Sequence, residues 1–441
     1  MARKTSKNTG RKTGKKRRPA TAKPQEAAER ARPAGNGPAG NGRTIRIRMY
    51  NCGFGDCFLI FAPARSGPDK KILIDCGSFK TQVQPIKEIV GRVVEDLRDN
   101  DRTPRVDLLV VTHRHKDHIA GFADPRWSEV EVGEVWMPWT ESDEPEAISL
   151  RSAQTRLALA LAGLAEAAPA GAALSEVLQL NASANVQAMD TLQRGFAGSP
   201  KRRYLPEKDA RTRTVACAKL PEVTIHVLGP SRNPDTIFDM NPPSGESFLS
   251  LLGMSGNLAA RQAGIPEPFG EEWVDDKRSP AELDEDTRKR LENIHDGLET
   301  KLAIALDNAL NNTSLMLMLV IGNAHLLFPG DAQWGTWREL MDDDAAGQLL
   351  RNTTFYKVGH HGSHNATPKK FVEKYLGARG GDTWAMVPVT PYGRWPEIPR
   401  PPLLNEIKKK TTYFVRSDQP GNVRGFSRDG DWYVETAIPA D

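Results

Sequence analysis

The sequence predicts an α/β fold, and three observations carry that prediction. Short runs of Val, Ile and Leu bounded by Gly turns recur along the chain. A stretch with helical periodicity joins two of them, and His- and Asp-rich segments follow directly on the ends of three. In order, residues 1–44 hold 13 Lys or Arg against Glu26 and Glu29 and almost no large apolar side chain, the composition of a disordered basic tail. From Thr44 the alternation Ile45, Ile47, Met49, the turn Gly53-Phe54-Gly55-Asp56, Cys57 to Phe61 and Lys71 to Asp75 read as a β-meander. Val83 to Arg98 places Ile86, Val90, Val93, Val94 and Leu97 on one helical face, and Val106 to Val111 reads as a buried strand.

An Ala- and Leu-rich segment, Ala147 to Gln193, then reads as mostly helical with a break near Pro169 to Gly171. It leads into a polar, basic connection around Lys201 to Arg213, and residues 141–220 are expected to form an inserted helical cap. Strand character returns at Val223 to Leu228. A second insertion, residues 230–310, holds 12 acidic and five basic residues between Glu267 and Glu299. Strands follow at Ser314 to Val320, Ala324 to Phe328, Thr354 to Val358 and Trp384 to Val389, with a helix at Pro368 to Leu376. The expected organisation is a tail, 1–44, and one domain, 45–441, carrying both insertions.

With 441 residues and 39% hydrophobic content the chain can bury a large core. The longest apolar runs, such as Leu315 to Ile321, fall short of the ~20 residues that cross a bilayer, so no membrane insertion is expected. Four cysteines without CxxC spacing and no apolar leader behind the basic start point to the cytoplasm rather than secretion. The formal charge of +4 divides into +11 on residues 1–44 and −7 on the rest. A nucleic-acid partner would therefore engage the tail or a local patch, and a merely solubilising tail fits equally well.

Chemistry concentrates in Thr112-His113-Arg114-His115-Lys116-Asp117-His118, behind the buried strand. Three of the chain's nine histidines fall within six positions. Residues 113, 115 and 117 share a face of an extended segment, and a turn at Asp117 and His118 brings a fourth ligand around. Imidazole and carboxylate together suit one or two divalent ions such as zinc, manganese or iron. Phe328-Pro329-Gly330-Asp331 and Tyr356-Lys357-Val358-Gly359-His360-His361-Gly362-Ser363 end two further strands with ligand-type residues. His226 and His325 alternate with apolar neighbours and read as sheet residues, and His295 as solvent-exposed; His364 is a candidate contact to substrate or to a ligand.

These segments resemble the metallo-β-lactamase superfamily, whose signature is HxHxDH followed by a Gly-Asp and a later His. Asn51 to Phe58, Ile74-Asp75-Cys76-Gly77, Asn311-Asn312-Thr313-Ser314-Leu315 and Val358 to Ser363 are most similar to its ComEC-like branch, the nuclease domain of DNA-uptake channels. The resemblance implies an αββα four-layer sandwich with metals at one edge. It implies His113 and His115 as ligands of a first ion, Asp117, His118 and His360 of a second, and Asp331 as the bridge, with His361 an alternative to His360. Asp75 corresponds to an aspartate that orients a ligand histidine, Asp56 is similar in kind, and Asn312, Ser363 and His364 lie in or beside the matching motifs. Asn311 to Ser314 stand where many members supply another histidine. His115 and the late Tyr392-Gly393-Arg394-Trp395-Pro396 depart from the branch's own pattern.

Zinc is the expected metal, with manganese as the alternative. Asp117 and Asp331 would orient and relay the proton of an activated water. The expected function is a metal-dependent hydrolase acting on phosphodiesters of nucleic acid or nucleotides. A lactone, ester or amide hydrolase, and a non-catalytic metal-containing interaction protein, are the alternatives. Oligomeric state is not encoded in any of these features.

Overall fold

The computed structural model describes residues 42–79, 84–99, 102–167, 185–247, 305–392, 397–419, 421 and 423–441, all within one compact unit, Ala39–Asp441. The basic tail up to residue 41, the break at Pro169 to Gly171, the acidic run Glu267 to Glu299 with His295, and Gly393 to Pro396 lie outside the described residues. Fifteen strands are described: β1 (Thr44–Tyr50), β2 (Phe58–Ala62), β3 (Lys70–Ile74), β4 (Arg105–Val110), β5 (Glu131–Pro138), β6 (Lys201–Leu205), β7 (Thr214–Val215), β8 (Val223–Gly229), β9 (Met316–Ile321), β10 (Ala324–Phe328), β11 (Phe355–Lys357), β12 (Trp384–Val387), β13 (Tyr413–Arg416), β14 (Ser427–Asp429) and β15 (Tyr433–Pro439). They form two sheets, ordered β14-β15-β1-β2-β3-β4-β5-β6 and β13-β12-β11-β10-β9-β8-β7. Each sheet is part antiparallel and part parallel: β3 to β6 run parallel in the first, and β10 to β13 in the second.

Strand alternation decides what each sheet face buries. In β2, Phe58 and Ile60 join an apolar cluster shared with Leu317, Leu319, Leu326 and Phe328 of the second sheet. Leu59 and Phe61 point the other way and join Ile89, Val90, Val93 and Val94 of the helix Ile86–Asp96. β10 repeats the pattern: Leu326 and Phe328 face the first sheet, while Leu327 packs with Trp337, Phe371 and Ile407. Those three lie on the helices Trp334–Asp342, Lys369–Lys374 and Pro401–Lys410. The chain is thus a mixed α/β structure with two sheets sharing one core, each also packed against helices on its other face. Among the described residues no helix is long and apolar enough to cross a membrane.

Two sequence boundaries shift. Thr44, counted with the tail, opens β1 opposite Pro439, and Arg43 pairs with Asp441 and Glu222. Residues 201–205, read as a polar connection within the helical cap, form β6 and pair in parallel with β5. Their sequence, Lys-Arg-Arg-Tyr-Leu, hides the strand because β6 is an edge strand on which charged residues are favoured. The segment expected to form a cap is helical at Pro145–Ala167 and Val186–Asp190.

Candidate metal centre

The site forms where the C-terminal ends of β3, β4, β10 and β11 meet at one rim. Asp75 follows β3, residues 112–118 follow β4, Asp331 follows β10, and His360 and His361 follow β11. The pairing Ile74↔Val110 sets the first junction, and Leu315 N, just before β9, donates to Thr112 O at 2.8 Å and ties the second sheet to it. Gly77 lets two backbones touch, since a Cβ there would sit 2.3 Å from Asp117 C and His118 N. Gly330 has φ +58, and a Cβ would lie 2.9 Å from both Thr112 Cβ and Ser314 Cβ.

Ligand atoms of Asp117, His118, Asp331 and His361 all lie within 4.8 Å of one another, and all four residues are buried. His118 Nε2 is 3.2 Å from Asp331 Oδ2, and His361 Nε2 is 3.0 Å from Asp117 Oδ2. A second group, Asp56, Asp75 and His118, lies behind them. The outward ring nitrogens are fixed by acceptors: His118 Nδ1 donates to Asp75 Oδ2 at 2.7 Å and His361 Nδ1 to Pro388 O at 2.8 Å. Asp75 also accepts from Thr112 N at 2.8 Å and Thr112 Oγ1 at 2.7 Å. In the neutral ring this leaves each inward Nε2 as a lone pair aimed among carboxylates, the arrangement of a metal-ligating histidine held by its other nitrogen.

His113 and His115 lie beside this group but outside it. Their rings meet with His113 Nε2 and His115 Nδ1 3.1 Å apart. Nδ1 of His113 faces Thr112 Oγ1 at 3.1 Å and Ser314 Oγ at 3.2 Å.

Of the two histidines left open as ligand, His361 supplies the ring in the cluster and His360 does not. Both residues have left-handed backbone, φ 45 and φ 52, and together they turn the His361 ring inward. His360 instead donates its backbone N to Asp331 Oδ1 at 3.0 Å. Asp75, at φ 57, is a third site residue in this costly region. The Asn312 amide donates to Thr236 O and Ile237 O and accepts from Gln333 N and Thr336 Oγ1, bracing the chain behind Asp331. Ser363 Oγ donates to Asn365 Oδ1, and His364 belongs to neither group.

Sequence reasoning missed Lys357. Its buried Nζ pairs with Asp56 Oδ2, lies 3.2 Å from Asp331 Oδ1 and donates to Gly330 O at 3.0 Å. The available signal was a lysine at the end of the buried run Thr354 to Val358. Thr112 and Ser314, inside quoted motifs, and Asp307, whose Oδ1 lies 3.6 Å from His115 Nε2, were also missed. Arg114 and Glu141, paired through two guanidinium nitrogens, together with Asn185 Nδ2 donating to Arg114 O, tie residues 141 and 185 to the motif loop.

Electrostatics mark the centre. Asp56, Asp75, Asp117 and Asp331 are buried at this rim with one buried ammonium, Lys357, which pairs with Asp56 and Asp331, so when ionised they leave three negative charges in excess of it. Burial disfavours charge on His118, yet Asp331, Asp117, Asp56 and Asp75 outweigh it and raise its pKa well above the usual value. Burial likewise opposes ionisation of Asp117, while His118 and His361 hold its pKa below the usual range. Asp331 is held well below it by Lys357 and His118 against the same burial. Burial and the neighbouring His118 and His115 push His113 well down. A divalent cation fits this donor set of two imidazoles and two carboxylates, and Asp117 Oδ1 is buried with no hydrogen-bond partner among the described residues. The sequence matches no protein-family model and no curated protein.

Proposed function

We propose that the protein is a metal-dependent hydrolase with a metallo-β-lactamase-like sandwich fold, cleaving phosphodiesters of nucleic acid or nucleotides. The observation that carries this reading is the convergence of His118 Nε2 and His361 Nε2 on Asp117 and Asp331, with each outward nitrogen held by a fixed acceptor. The sequence of helix, sheet, sheet and helix defined by the apolar clusters supports the sandwich. The substrate class rests on the resemblance of the Gly-Asp, Asn-Asn-Thr-Ser and Gly-His-His-Gly-Ser segments to the ComEC-like branch, and on the basic tail as a second contact to a polyanion. Four buried, unpaired cysteines support a reducing, cytoplasmic compartment.

Asp117, His118, Asp331 and His361 would hold one ion, and His113 and His115 beside them, as the resemblance implies, would form the half that takes a second; zinc suits the donor set, with manganese as the alternative. When bound, it supplies Lewis acidity and a water ionised near neutral pH. The chain's own groups do the rest. Asp117 and Asp331 would orient the attacking water and relay its proton, Lys357 fixes Asp331 through Oδ1, and Asp75 and Pro388 O set the ring tautomers of His118 and His361.

Metal content and hydrolysis of bis(p-nitrophenyl) phosphate, single-stranded DNA, RNA and a lactone by the purified protein test this. Metal-dependent phosphodiester cleavage that disappears in Asp331→Ala is the expected result. Cleavage unchanged in that variant would overturn the mechanism, and turnover of the lactone alone would overturn the substrate class.

A further inference from the structure

The helix of residues 305–311 brings Asp307 to the rim directly ahead of β9, at the end of the acidic insertion. Asp307 Oδ1 lies 3.6 Å from His115 Nε2, about half an ångström beyond a hydrogen bond. The other nitrogen of the same ring, Nδ1, faces His113 Nε2 at 3.1 Å. Asn311 Nδ2, one helical turn on, donates to Asp307 Oδ2 at 3.3 Å and steadies the carboxylate.

His115 thus has Nε2 toward a carboxylate and Nδ1 toward the His113 ring. His118 has the same arrangement with Asp75, and His361 with Pro388 O. The relation is reversed in the ring: His118 and His361 turn Nε2 to the cluster, while His115 turns Nδ1 to His113 and Nε2 toward Asp307. A carboxylate accepts only, so Asp307 favours the proton on Nε2 and leaves Nδ1 as the lone pair beside His113 Nε2.

We infer that Asp307 is a positioning residue for His115, making the His113–His115 half of the centre depend on the last helix of the acidic insertion. The inference rests on the metal-centre reading proposed above. It means that the insertion contributes to the metal centre itself. Occupancy of the second half then responds to whatever displaces that helix, whereas the half built from Asp117, His118, Asp331 and His361 does not.

The first test uses the metal-free full-length protein labelled with ¹⁵N-histidine, in which long-range ¹H–¹⁵N spectra report the tautomer of each of the nine histidines. His115, assigned by its loss in His115→Ala, is expected as the Nε2-protonated tautomer, shifting toward the Nδ1-protonated form in Asp307→Asn and returning in Asp307→Glu. An unchanged tautomer in Asp307→Asn would overturn the inference. The second test titrates zinc into the wild type, His115→Ala, Asp307→Asn and Asp307→Glu, with thermal melts confirming the fold. The equivalent that His115→Ala removes is expected to weaken about 10–100-fold in Asp307→Asn and to recover in Asp307→Glu. Unchanged binding in Asp307→Asn, or no equivalent lost in His115→Ala, would overturn the inference and leave the function standing. Absence of zinc binding to the wild type would instead overturn the function, with the tautomer result still deciding the role of Asp307.

Discussion

Asp75→Asn separates a carboxylate that holds a ligand from one that is a ligand. Asp75 accepts three hydrogen bonds, from Thr112 N at 2.8 Å, Thr112 Oγ1 at 2.7 Å and His118 Nδ1 at 2.7 Å. In the amide, the remaining oxygen keeps the first. The Thr112 hydroxyl can reverse and accept the second. The third cannot be kept, because an NH₂ facing Nδ1 requires Nδ1 to accept, which puts the imidazole proton on Nε2 and blocks the nitrogen aimed at Asp117 and Asp331. Binding metal then requires either the wrong tautomer to be undone or the amide to turn away. Loss of such an outer partner costs about 10–100-fold in affinity, or about 1.4–2.7 kcal/mol. Zinc affinity measured by competition with a chromophoric chelator should fall by that factor, with Asp331→Asn as the control that removes a ligand outright. Affinity within twofold of wild type in Asp75→Asn, alongside a clear loss in Asp331→Asn, would refute the argument that Asp75 sets the His118 tautomer.

Gly77→Ala pushes a Cβ into the Asp117–His118 backbone and should cost about 1–3 kcal/mol or more in a denaturant melt, with zinc binding weakened at the same time. Lys357→Met leaves Asp56 and Asp331 without their shared ammonium and should destabilise the metal-free protein by about 3–5 kcal/mol; adding Asp56→Asn should recover part of that in a double-mutant cycle. Zinc at one hundred times its Kd should stabilise the chain by about 2.7 kcal/mol, which for this length raises Tm by about 3 °C, and a chelator should remove the gain. For Asp99, burial raises the pKa but Lys71 and Arg105 overcome it, so the folded-state pKa is lowered. Its contribution is therefore present above about pH 4 and lost as pH falls through the folded pKa, and Asp99→Asn should flatten that part of a Tm-against-pH curve.

The legible parts of the fold are those whose burial follows a short period. β4 was readable because Val106 to Val111 is apolar at every position but Asp107, and the helix Ile86–Asp96 because its buried residues recur at helical spacing. β6 was not, since an edge strand tolerates the charges of Lys201, Arg202 and Arg203, and β14, with Ser427-Arg428-Asp429, fails for the same reason at the opposite edge. In the site, Asp117, His118 and Asp331 stood out as ligand-type residues after strand ends. The choice between His360 and His361 could not be read from spacing, because it is made by two consecutive left-handed residues. Asp307 was hidden for another reason: it precedes its strand instead of following one, and nothing local marks an aspartate eight residues upstream of Leu315 as reaching His115.

The energetic cost of the centre argues that it is maintained for a ligand and not for stability. Four carboxylates and four imidazole rings are buried at this rim with one lysine, and like charges in a low-dielectric surrounding oppose folding unless a cation or protons balance them. The four aspartates favour a second proton on His118, which would balance part of the excess charge. A divalent ion displaces that proton and supplies two charges at once, so metal loading should release protons and tighten as pH rises through the His118 titration. The backbone carries the same signature: Asp75, His360 and His361 are three of the four non-glycine residues with positive φ among those described, all at this rim. Strain and excess charge concentrated on the same few residues, within sheets that elsewhere follow simple alternation, are what a site preorganised for a cation requires.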